Sequence, residues 1–256
     1  MSEFVQPLAR DGVVSMEGYH SPQVDVAVRL NTNESPVPPP VGFSAAVAAA
    51  ATELSWNRYP DRHATALRSA LAEAHGVTPM QVFAANGSNE VLQSLLLAYG
   101  GPGRSAAVFE PTYAMYAQIA RTTGTGVLRG TRDDDHRLVA DEVLALVADE
   151  QPALVFLCSP NNPTGTVDPV GLVADVVDVA ARYGGLVVVD EAYGQFASTS
   201  AVDLLAEDRP LVVSRTFSKT WAMAGARLGY LLAPTWCVAE LNKVVLPYHL
   251  DAFKQV

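Results

Sequence analysis

Lys219 lies in the segment SRTFSKTWAMAGARLG, directly after a short apolar run, and is well suited to covalent chemistry. A lysine amine attacks a carbonyl carbon only after losing its proton, so its pKa of about 10.4 must be lowered by burial or nearby positive charge. Arg227, further along the segment, could supply that charge. The hydroxyls of Thr216 and Ser218 flank the lysine and could bind a phosphate with the arginine, whose guanidinium offers two donors at once. A solvated lysine, a surface ion pair and ordinary turn hydrogen bonds are the alternatives.

Asp190 closes the apolar segment LVVVD, where a carboxylate is unfavourable unless it meets a partner. A protonated pyridine nitrogen is such a partner, and a carboxylate that fixes this charge makes the ring an effective electron sink. Tyr193 follows three residues later and is placed to direct its hydroxyl to a phenolic oxygen on the same ring. These groups and a Schiff-base lysine suit pyridoxal 5'-phosphate (PLP). A helix cap or ion pair is the alternative for Asp190, and packing is the alternative for Tyr193.

Three further segments carry residues that suit the same cofactor. Asn162, in the turn SPNNPTG, has an amide that could donate to the phenolic oxygen, although such turns also favour asparagine on their own account. Tyr113 could stack on the cofactor ring, and as a lone aromatic it would equally fit the core. Ser88 and Asn89 open a predicted helix whose first N–H groups could hold phosphate, and either residue would also serve as an ordinary cap.

The elements that must position these residues alternate along the chain. Apolar runs typical of buried strands occur at 81–85, 105–110, 153–158, 186–190, 211–214 and 228–233. The sequence predicts helices at 43–54, 61–76 (with Asp61 as the N-cap), 90–99, 113–123, 140–150 and 170–183. This alternation predicts an α/β domain with a mainly parallel sheet between helix layers. Because the polar segments follow the carboxyl ends of strands, we expect five loops to converge on one site.

Composition limits the class of protein. The 256 residues are 49% hydrophobic and 17% charged, which is enough apolar material for a sizeable core. A net charge of −10 without clustered lysine or arginine argues against a nucleic-acid surface. The longest apolar stretch, Ala45 to Ala51, is too short for a membrane span, and the N-terminal residues show no signal-peptide pattern. We expect Cys158 and Cys237 to be small buried hydrophobes rather than disulfide or metal ligands, and a cytoplasmic protein.

Nine motifs in a fixed order carry a resemblance to a known family. They are LNTNESP (30–36), RYPD (58–61), AANGSNE (84–90), PTYAMY (111–116), CSPNNPTG (158–165), VVDEAY (188–193), RTFSK (215–219), AGARLGY (224–230) and LPYHL (246–250). On these motifs the chain resembles the fold-type I PLP-dependent aminotransferases, and specifically the histidinol-phosphate aminotransferases. The resemblance covers nearly the whole chain and implies the aspartate aminotransferase-like fold.

The resemblance implies a role for each matched residue around PLP. Lys219 would form the Schiff base with the cofactor and then act as general base and acid. Asp190 would pair with the pyridine nitrogen. The ring oxygen would be held by Asn162 and Tyr193, and Tyr113 would stack on the ring. The phosphate would be bound by Ser88, Asn89, Thr216, Ser218 and Arg227.

Three more residues receive weaker assignments from the same resemblance. Tyr59, in RYPD, would reach the phosphate in the neighbouring subunit, which implies a homodimer with shared sites. Tyr19 and Asn33, near the N-terminus, would contact the substrate, and simple packing is the alternative for Tyr19. The family's division implies an N-terminal arm at 1–42, a large PLP-binding domain at 43–248 and the start of an interdomain helix at 249–256. We expect the family's small C-terminal domain to be missing.

The activity that the resemblance implies is ping-pong transamination between an amino acid and a 2-oxo acid. For the named family the pair would be histidinol phosphate with 2-oxoglutarate, giving imidazole-acetol phosphate and glutamate in histidine biosynthesis. Two alternatives stay open. One is another enzyme of the same fold, such as an aromatic aminotransferase or a phosphothreonine decarboxylase. The other is a truncated, non-catalytic module that binds PLP or a partner chain.

Overall fold

A computed structural model describes residues 5–18 and 22–256 of the chain. Before residue 43, the described residues lie mostly outside regular secondary structure and are largely exposed, apart from the short helix α1 (Asp11–Val14). From residue 43 onward, helices and strands alternate around one central sheet.

In the described chain the sheet has seven strands. They are β1 (Val82–Ala85), β2 (Ser105–Glu110), β3 (Gly126–Thr131), β4 (Leu154–Cys158), β5 (Leu186–Asp190), β6 (Leu211–Thr216) and β7 (Gly229–Leu232). Their spatial order is β1-β7-β6-β5-β4-β2-β3. Strand β7 runs antiparallel to both of its neighbours, and all the other pairs are parallel. The prediction of an α/β domain with a mainly parallel sheet is therefore confirmed.

Helices cover both faces of the sheet. After α1 they are α2 (Phe43–Thr52), α3 (Thr65–His75), α4 (Ser88–Tyr99), α5 (Met115–Thr123), α6 (Ala140–Glu150), α7 (Val170–Ala181) and α8 (Thr235–Val244). Helices α4, α5 and α8 share one core cluster with the strands, and α6 and α7 share another on the opposite face. Helix α3 packs near β1 and β7.

The strand residues alternate between these two clusters, as the period of two requires. In β4, Leu154 and Phe156 belong to the cluster of α4, α5 and α8, whereas Val155 and Leu157 belong to the cluster of α6 and α7. All five residues of β4 are buried, and so are all five of β5. Burial on both faces explains why these strands read as continuous apolar runs rather than as alternating patterns. It also fixes the sheet edge at which their following loops emerge.

The described fold differs from the prediction in three elements. The helix predicted over 61–76 begins at Thr65, because Ala64 takes a left-handed conformation with φ of 45°. The Asp61 carboxylate still accepts a hydrogen bond from the Thr65 N–H, at 2.7 Å, so it caps the helix from four residues upstream. Strand β3 and helix α8 were not predicted. The final residues contain a short 3-10 helix (Ala252–Gln255), and an interdomain helix starting at 249 stays a prediction.

Two smaller predictions concern the burial of the two cysteines and the length of the apolar segments. Cys158 and Cys237 are both buried and unpaired, as expected for small hydrophobes. Among the helices of residues 5–18 and 22–256, the longest apolar segment falls short of what crossing a bilayer requires.

Candidate active site

A cavity of about 590 Å³ opens where the loops after the parallel strands meet. That volume lies within the usual range for small-molecule and cofactor sites. Ten of the eleven predicted cofactor residues line this cavity, together with Asn33 from the N-terminal segment. The ten are Ser88, Asn89, Tyr113, Asn162, Asp190, Tyr193, Thr216, Ser218, Lys219 and Arg227. The fold therefore brings together residues that are far apart in sequence, such as Asn33, Ser88 and Arg227.

Lys219 lies in the loop after β6 and points its amine into the cavity. Its Nζ donates a hydrogen bond to the carbonyl oxygen of Thr32 at 2.7 Å. Burial lowers the pKa of Lys219, the positive charge of Arg227 lowers it further, and the negative charge of Glu34 opposes both. A lowered amine pKa is what carbonyl chemistry needs, since only the neutral amine is nucleophilic. The contacts with Thr32 and Glu34 were not predicted, because the segment 30–36 shows no periodic pattern that would place it.

Asp190 ends β5 and is 2% exposed. Its Oδ2 accepts a hydrogen bond from the hydroxyl of Tyr116 at 2.8 Å, and its Oδ1 accepts one from the backbone N–H of Ala192 at 3.1 Å. Burial raises the pKa of Asp190 to about 6, because desolvation outweighs these two hydrogen bonds, which favour the ionised form. A carboxylate in this state favours a cationic partner strongly. Tyr116 was not assigned to the site by sequence reasoning; its place three residues after Tyr113 was the available signal.

Tyr193 and Asn162 occupy the loops after β5 and β4. The hydroxyl of Tyr193 accepts a hydrogen bond from Nδ2 of Asn33 at 2.9 Å, and burial raises the pKa of Tyr193. The turn that carries Asn162 is held by its neighbour Asn161, which is 2% exposed. Asn161 donates from Nδ2 to the carbonyl oxygen of Pro111 at 3.0 Å and to the Thr164 hydroxyl at 2.8 Å. Turn formation is therefore carried by Asn161, and Asn162 lines the cavity.

The part of the cavity around Arg227 is polar and positively charged. The Nη1 of Arg227 donates to the Ser218 hydroxyl at 3.2 Å, and the Thr216 hydroxyl donates to the same oxygen at 3.1 Å. Ser88 begins α4, so the first N–H groups of that helix, which have no intrahelical partner, lie at the cavity. Arg227 approaches closely because residue 87 is glycine: a Cβ there would lie 2.6 Å from Nη2 of Arg227. Helix termini and paired arginine donors are both suited to phosphate.

Tyr113 links this end to the aspartate. Its hydroxyl donates to Oδ1 of Asn89 at 3.1 Å. Its ring meets the ring of Tyr116 edge to face, with centroids 5.5 Å apart and an interplanar angle of 83°. The Tyr116 ring is in turn stacked on Phe156, at 5.0 Å. Tyr113 is therefore fixed at both its hydroxyl and its ring, as a stacking residue should be.

Two predicted residues do not meet the others in this chain. Tyr59 lies outside the cavity with 80% of its surface exposed, and its ring is stacked on that of Tyr248 at 4.5 Å. Its predicted contact with the phosphate of a neighbouring subunit stays a prediction. Tyr19 lies outside the described residues.

The arrangement fits PLP at each of its functional groups. A buried carboxylate, Asp190, stands ready for a cationic ring nitrogen, and an amine of lowered pKa, Lys219, stands ready for the aldehyde. The Arg227 end, with the start of α4, matches a phosphate. Among residues 5–18 and 22–256, no group of three or more histidine, cysteine or acidic side chains could hold a metal ion.

Comparison with known proteins supports this assignment. Residues 25–255 match the family model for aminotransferase class I and II. The histidinol-phosphate aminotransferase of Frankia casuarinae is 50% identical, over 96% of this chain and 65% of its own length. That of Thermobifida fusca is 49% identical, over 96% of this chain and 68% of its own length. This chain therefore spans about two thirds of the length of these curated relatives.

Solved structures give the same picture. A crystal structure of a putative histidinol-phosphate aminotransferase from Erwinia carotovora is 28% identical, with a TM-score of 0.81 over 89% of this chain and 67% of that one. The histidinol-phosphate aminotransferase of Sinorhizobium meliloti, crystallised in complex with pyridoxal-5'-phosphate, has a TM-score of 0.85 over 96% of this chain and 68% of that one. At 24% identity, the latter likeness concerns the fold.

Proposed function

Since the chain belongs to the aminotransferase class I and II family, we propose that it binds PLP through Lys219 and catalyses transamination. The observation that carries the proposal is the single cavity lined by Lys219, Asp190 and Arg227, which match the aldehyde, the ring nitrogen and the phosphate of this cofactor. When bound, PLP supplies the electron sink that stabilises negative charge on the substrate's reacting carbon.

The protein's own residues bind and orient the cofactor. Arg227, with Ser218 beside it, holds the phosphate by charge-assisted hydrogen bonds. Asp190, which is 2% exposed, would hold the positive charge on the ring nitrogen away from competing water. Asn162 and Tyr193 hold the ring oxygen from two different loops. These five points of contact, from the chain segments at the ends of β4, β5 and β6, fix the ring in one orientation.

Lys219 moves the proton in the reaction. Its lowered pKa favours the neutral amine, so Nζ can accept a proton from the substrate carbon and deliver it to the cofactor's C4' carbon. The Thr32 carbonyl oxygen, which accepts a hydrogen bond from Nζ, holds the amine at the segment that also contains Asn33. Substrate contact by Asn33 is part of this proposal, and its bond to Tyr193 places it beside the ring oxygen.

The proposed substrate pair is histidinol phosphate with 2-oxoglutarate, in histidine biosynthesis. The support is the identity of 50% and 49% with two histidinol-phosphate aminotransferases. The chain spans 65% of the first of these relatives, so the residues that select the substrate need not all lie within it. A cytoplasmic location stays a prediction from the sequence.

We also propose that the chain forms a homodimer in which Tyr59 completes the neighbouring site. Tyr59 and three other large apolar or aromatic side chains, close to Tyr59 or to its stacking partner Tyr248, support this, because their exposure is unusual for a surface in contact with water. The exposed fractions are 70% for Trp56, 80% for Tyr59, 40% for Tyr248 and 77% for Leu246.

Mixing two variants tests the shared site. Tyr59→Ala and Lys219→Ala are each expected to lower PLP binding, and refolding them together is expected to restore it in part. The mixed dimer has one site with Lys219 from one subunit and Tyr59 from the other, so that site is intact. No restoration in a sample shown by ultracentrifugation to contain mixed dimers would contradict the proposal.

One experiment tests the activity. Purified protein is loaded with PLP, its visible absorption band is recorded, and glutamate or histidinol phosphate is added in separate samples. Loss of the band with histidinol phosphate, and its return with 2-oxoglutarate, supports the proposed pair. A band that responds to aromatic amino acids instead would point to another enzyme of the same fold. A band that no amino donor changes would indicate a non-catalytic PLP-binding module.

A further inference from the structure

Tyr116 is a buried aromatic side chain next to Asp190 that the proposed function has not used. It lies on α5, is fully buried, and packs its ring on Phe156 from β4 with a centroid distance of 5.0 Å and an interplanar angle of 8°. The ring of Tyr113 meets it edge to face at 5.5 Å. Its hydroxyl donates to Oδ2 of Asp190 at 2.8 Å and also lies within reach of the Cys158 thiol.

We propose that Tyr116 is a positioning residue, which orients the Asp190 carboxylate and keeps it ionised for the cofactor's ring nitrogen; this rests on the proposed function insofar as that nitrogen is the partner. A carboxylate has two oxygens and about four lone-pair sites. Tyr116 occupies one site on Oδ2, and the N–H of Ala192 occupies one on Oδ1 at 3.1 Å. With one fixed donor on each oxygen, the plane of the carboxylate is set, and lone pairs remain for a donor in the cavity.

The burial of Asp190 explains why it needs the hydrogen bond from Tyr116. Burial raises the pKa of Asp190 to about 6, and the hydrogen bond from Tyr116 is the first of the contributions that lower it. Hydrogen bonds to charged groups contribute about 1.5–3 kcal/mol, and one pH unit corresponds to about 1.4 kcal/mol. Without the phenol, the midpoint at which Asp190 loses its proton is therefore expected to rise by about one to two pH units. Asp190 would then be largely protonated near neutral pH.

The other titratable groups around Asp190 do not obscure its titration. The titratable side chains that act on it come from α5, β4 and the loop after β5, and they are Tyr116, Cys158, Glu191 and Tyr193. Burial raises the pKa of Cys158 to about 12 and raises those of both tyrosines. Glu191 is held in an ion pair by Arg215, with Oε2 and Nη2 2.5 Å apart. Ser214, paired with Asp190 in the neighbouring strand β6, carries no charge.

The test is a pH titration of Asp190 in the cofactor-free full chain, followed by carbon-13 NMR of its carboxyl group. The signal is assigned by its loss in Asp190→Asn. In the unaltered chain we expect a midpoint near 6, and in Tyr116→Phe a midpoint higher by about one to two pH units. The matched control is Tyr183→Phe, since the Tyr183 hydroxyl is buried without a hydrogen-bond partner among the described residues and lies beside β5's far end, next to α7. The control is expected to leave the midpoint unchanged.

A second measurement covers the case in which Tyr116→Phe does not fold. Replacing Tyr116 with a ring-fluorinated tyrosine keeps its shape and makes its hydroxyl a stronger donor, so the Asp190 midpoint is expected to move downward. Opposite shifts of the Asp190 midpoint in the two variants support the proposal. A merely structural role for Tyr116 would not shift that midpoint up in one variant and down in the other. An unchanged midpoint in a folded Tyr116→Phe or fluorotyrosine protein overturns it.

Failure of this proposal and failure of the proposed function are separable. The NMR titration needs no PLP, so it stands even if the chain binds none. In the loaded protein, the pH dependence of PLP affinity is expected to follow the same midpoints. If PLP binds through Lys219 but Tyr116→Phe has the affinity profile of the unaltered chain, only the role of Tyr116 is refuted.

Discussion

Gly87 permits the close approach of Arg227 to the start of α4, and replacing it tests how the phosphate end of the site is built. Gly87 has φ of 85°, and an added Cβ would lie 2.6 Å from Nη2 and 3.2 Å from Cζ of Arg227. The first separation is shorter than a Cβ tolerates and the second is tight, so in Gly87→Ala the guanidinium must move. Its hydrogen bond to Ser218, at 3.2 Å, is then strained or lost.

Two separate effects of Gly87→Ala can be given a size. A residue other than glycine at φ of 85° and ψ of 164° is strained by about 1–3 kcal/mol, which lowers the free energy of unfolding. Displacing a charged donor from a phosphate forfeits about 1.5–3 kcal/mol, and about 1.4 kcal/mol is a tenfold change in the dissociation constant. We therefore expect PLP affinity to fall by about ten- to hundredfold.

The control is Gly184→Ala, which shares the first effect and lacks the second. Gly184 has φ of 83°, and an added Cβ there would have no neighbour within 4 Å. Both variants are measured by urea unfolding and by titration with PLP, read from the visible absorption. A loss of stability is expected in both variants, with PLP affinity reduced in Gly87→Ala alone. If Gly87→Ala binds PLP as the unaltered chain does, Arg227 does not hold the phosphate in the position described.

Four further predictions rest on contacts and pKa shifts in the described chain. Arg132 and Asp168 form a buried ion pair, with Nη1 and Oδ1 2.8 Å apart, so Arg132→Met alone is expected to lower the free energy of unfolding in urea by about 3–5 kcal/mol. Adding Asp168→Leu to this variant should restore most of the lost free energy of unfolding. A double variant as unstable as Arg132→Met alone would contradict the pairing. PLP affinity is expected to fall as pH drops through about 6, since Asp190 gains a proton there, and Asp190→Asn should bind weakly at every pH. The same raised pKa predicts a contribution to folding stability that is present at low pH and lost as pH rises towards 6, measurable as a difference from Asp190→Asn. In Gly229→Ala the added Cβ would lie 2.4 Å from the backbone N of Ser88, so the free energy of unfolding in urea should fall by about 1–3 kcal/mol or more. An unchanged free energy of unfolding would mean that α4 can shift.

The sequence predicted the centre of the sheet better than its margin. Strands β4 and β5 are buried on both faces, and a strand of that kind must be apolar throughout, so its pattern is plain. Strand β3 (Gly126–Thr131) lies at the sheet edge with β2 as its one partner among the described strands, and none of its residues is fully buried. Its sequence GVLRGT has two glycines and an arginine, so no strand signal stood out.

The site residues were easiest to predict where a side chain is energetically unfavourable at its position unless it has a functional partner. Asp190 at the end of four buried aliphatic residues is unfavourable without a partner, and that local conflict is visible in the sequence. Tyr116 gave no such signal, because a buried tyrosine with a hydrogen-bonded hydroxyl looks like any core aromatic. The contact of Thr32 with Lys219 joins residues 187 positions apart and depends on how an irregular segment crosses the cavity. Local patterns cannot report such a contact.

The central claim is that Lys219 carries the cofactor, and one measurement tests it directly. The chain has three lysines, of which Lys219 lines the cavity whereas Lys243 and Lys254 are paired with Glu240 and Asp251 on the surface helices. PLP-loaded protein is reduced with borohydride, digested and mapped by mass spectrometry, with Lys219→Ala and Lys243→Ala treated in parallel. The account predicts label on Lys219, undiminished in Lys243→Ala and absent from Lys219→Ala. Label on Lys243 or Lys254, or an equal amount of label in Lys219→Ala, would contradict it.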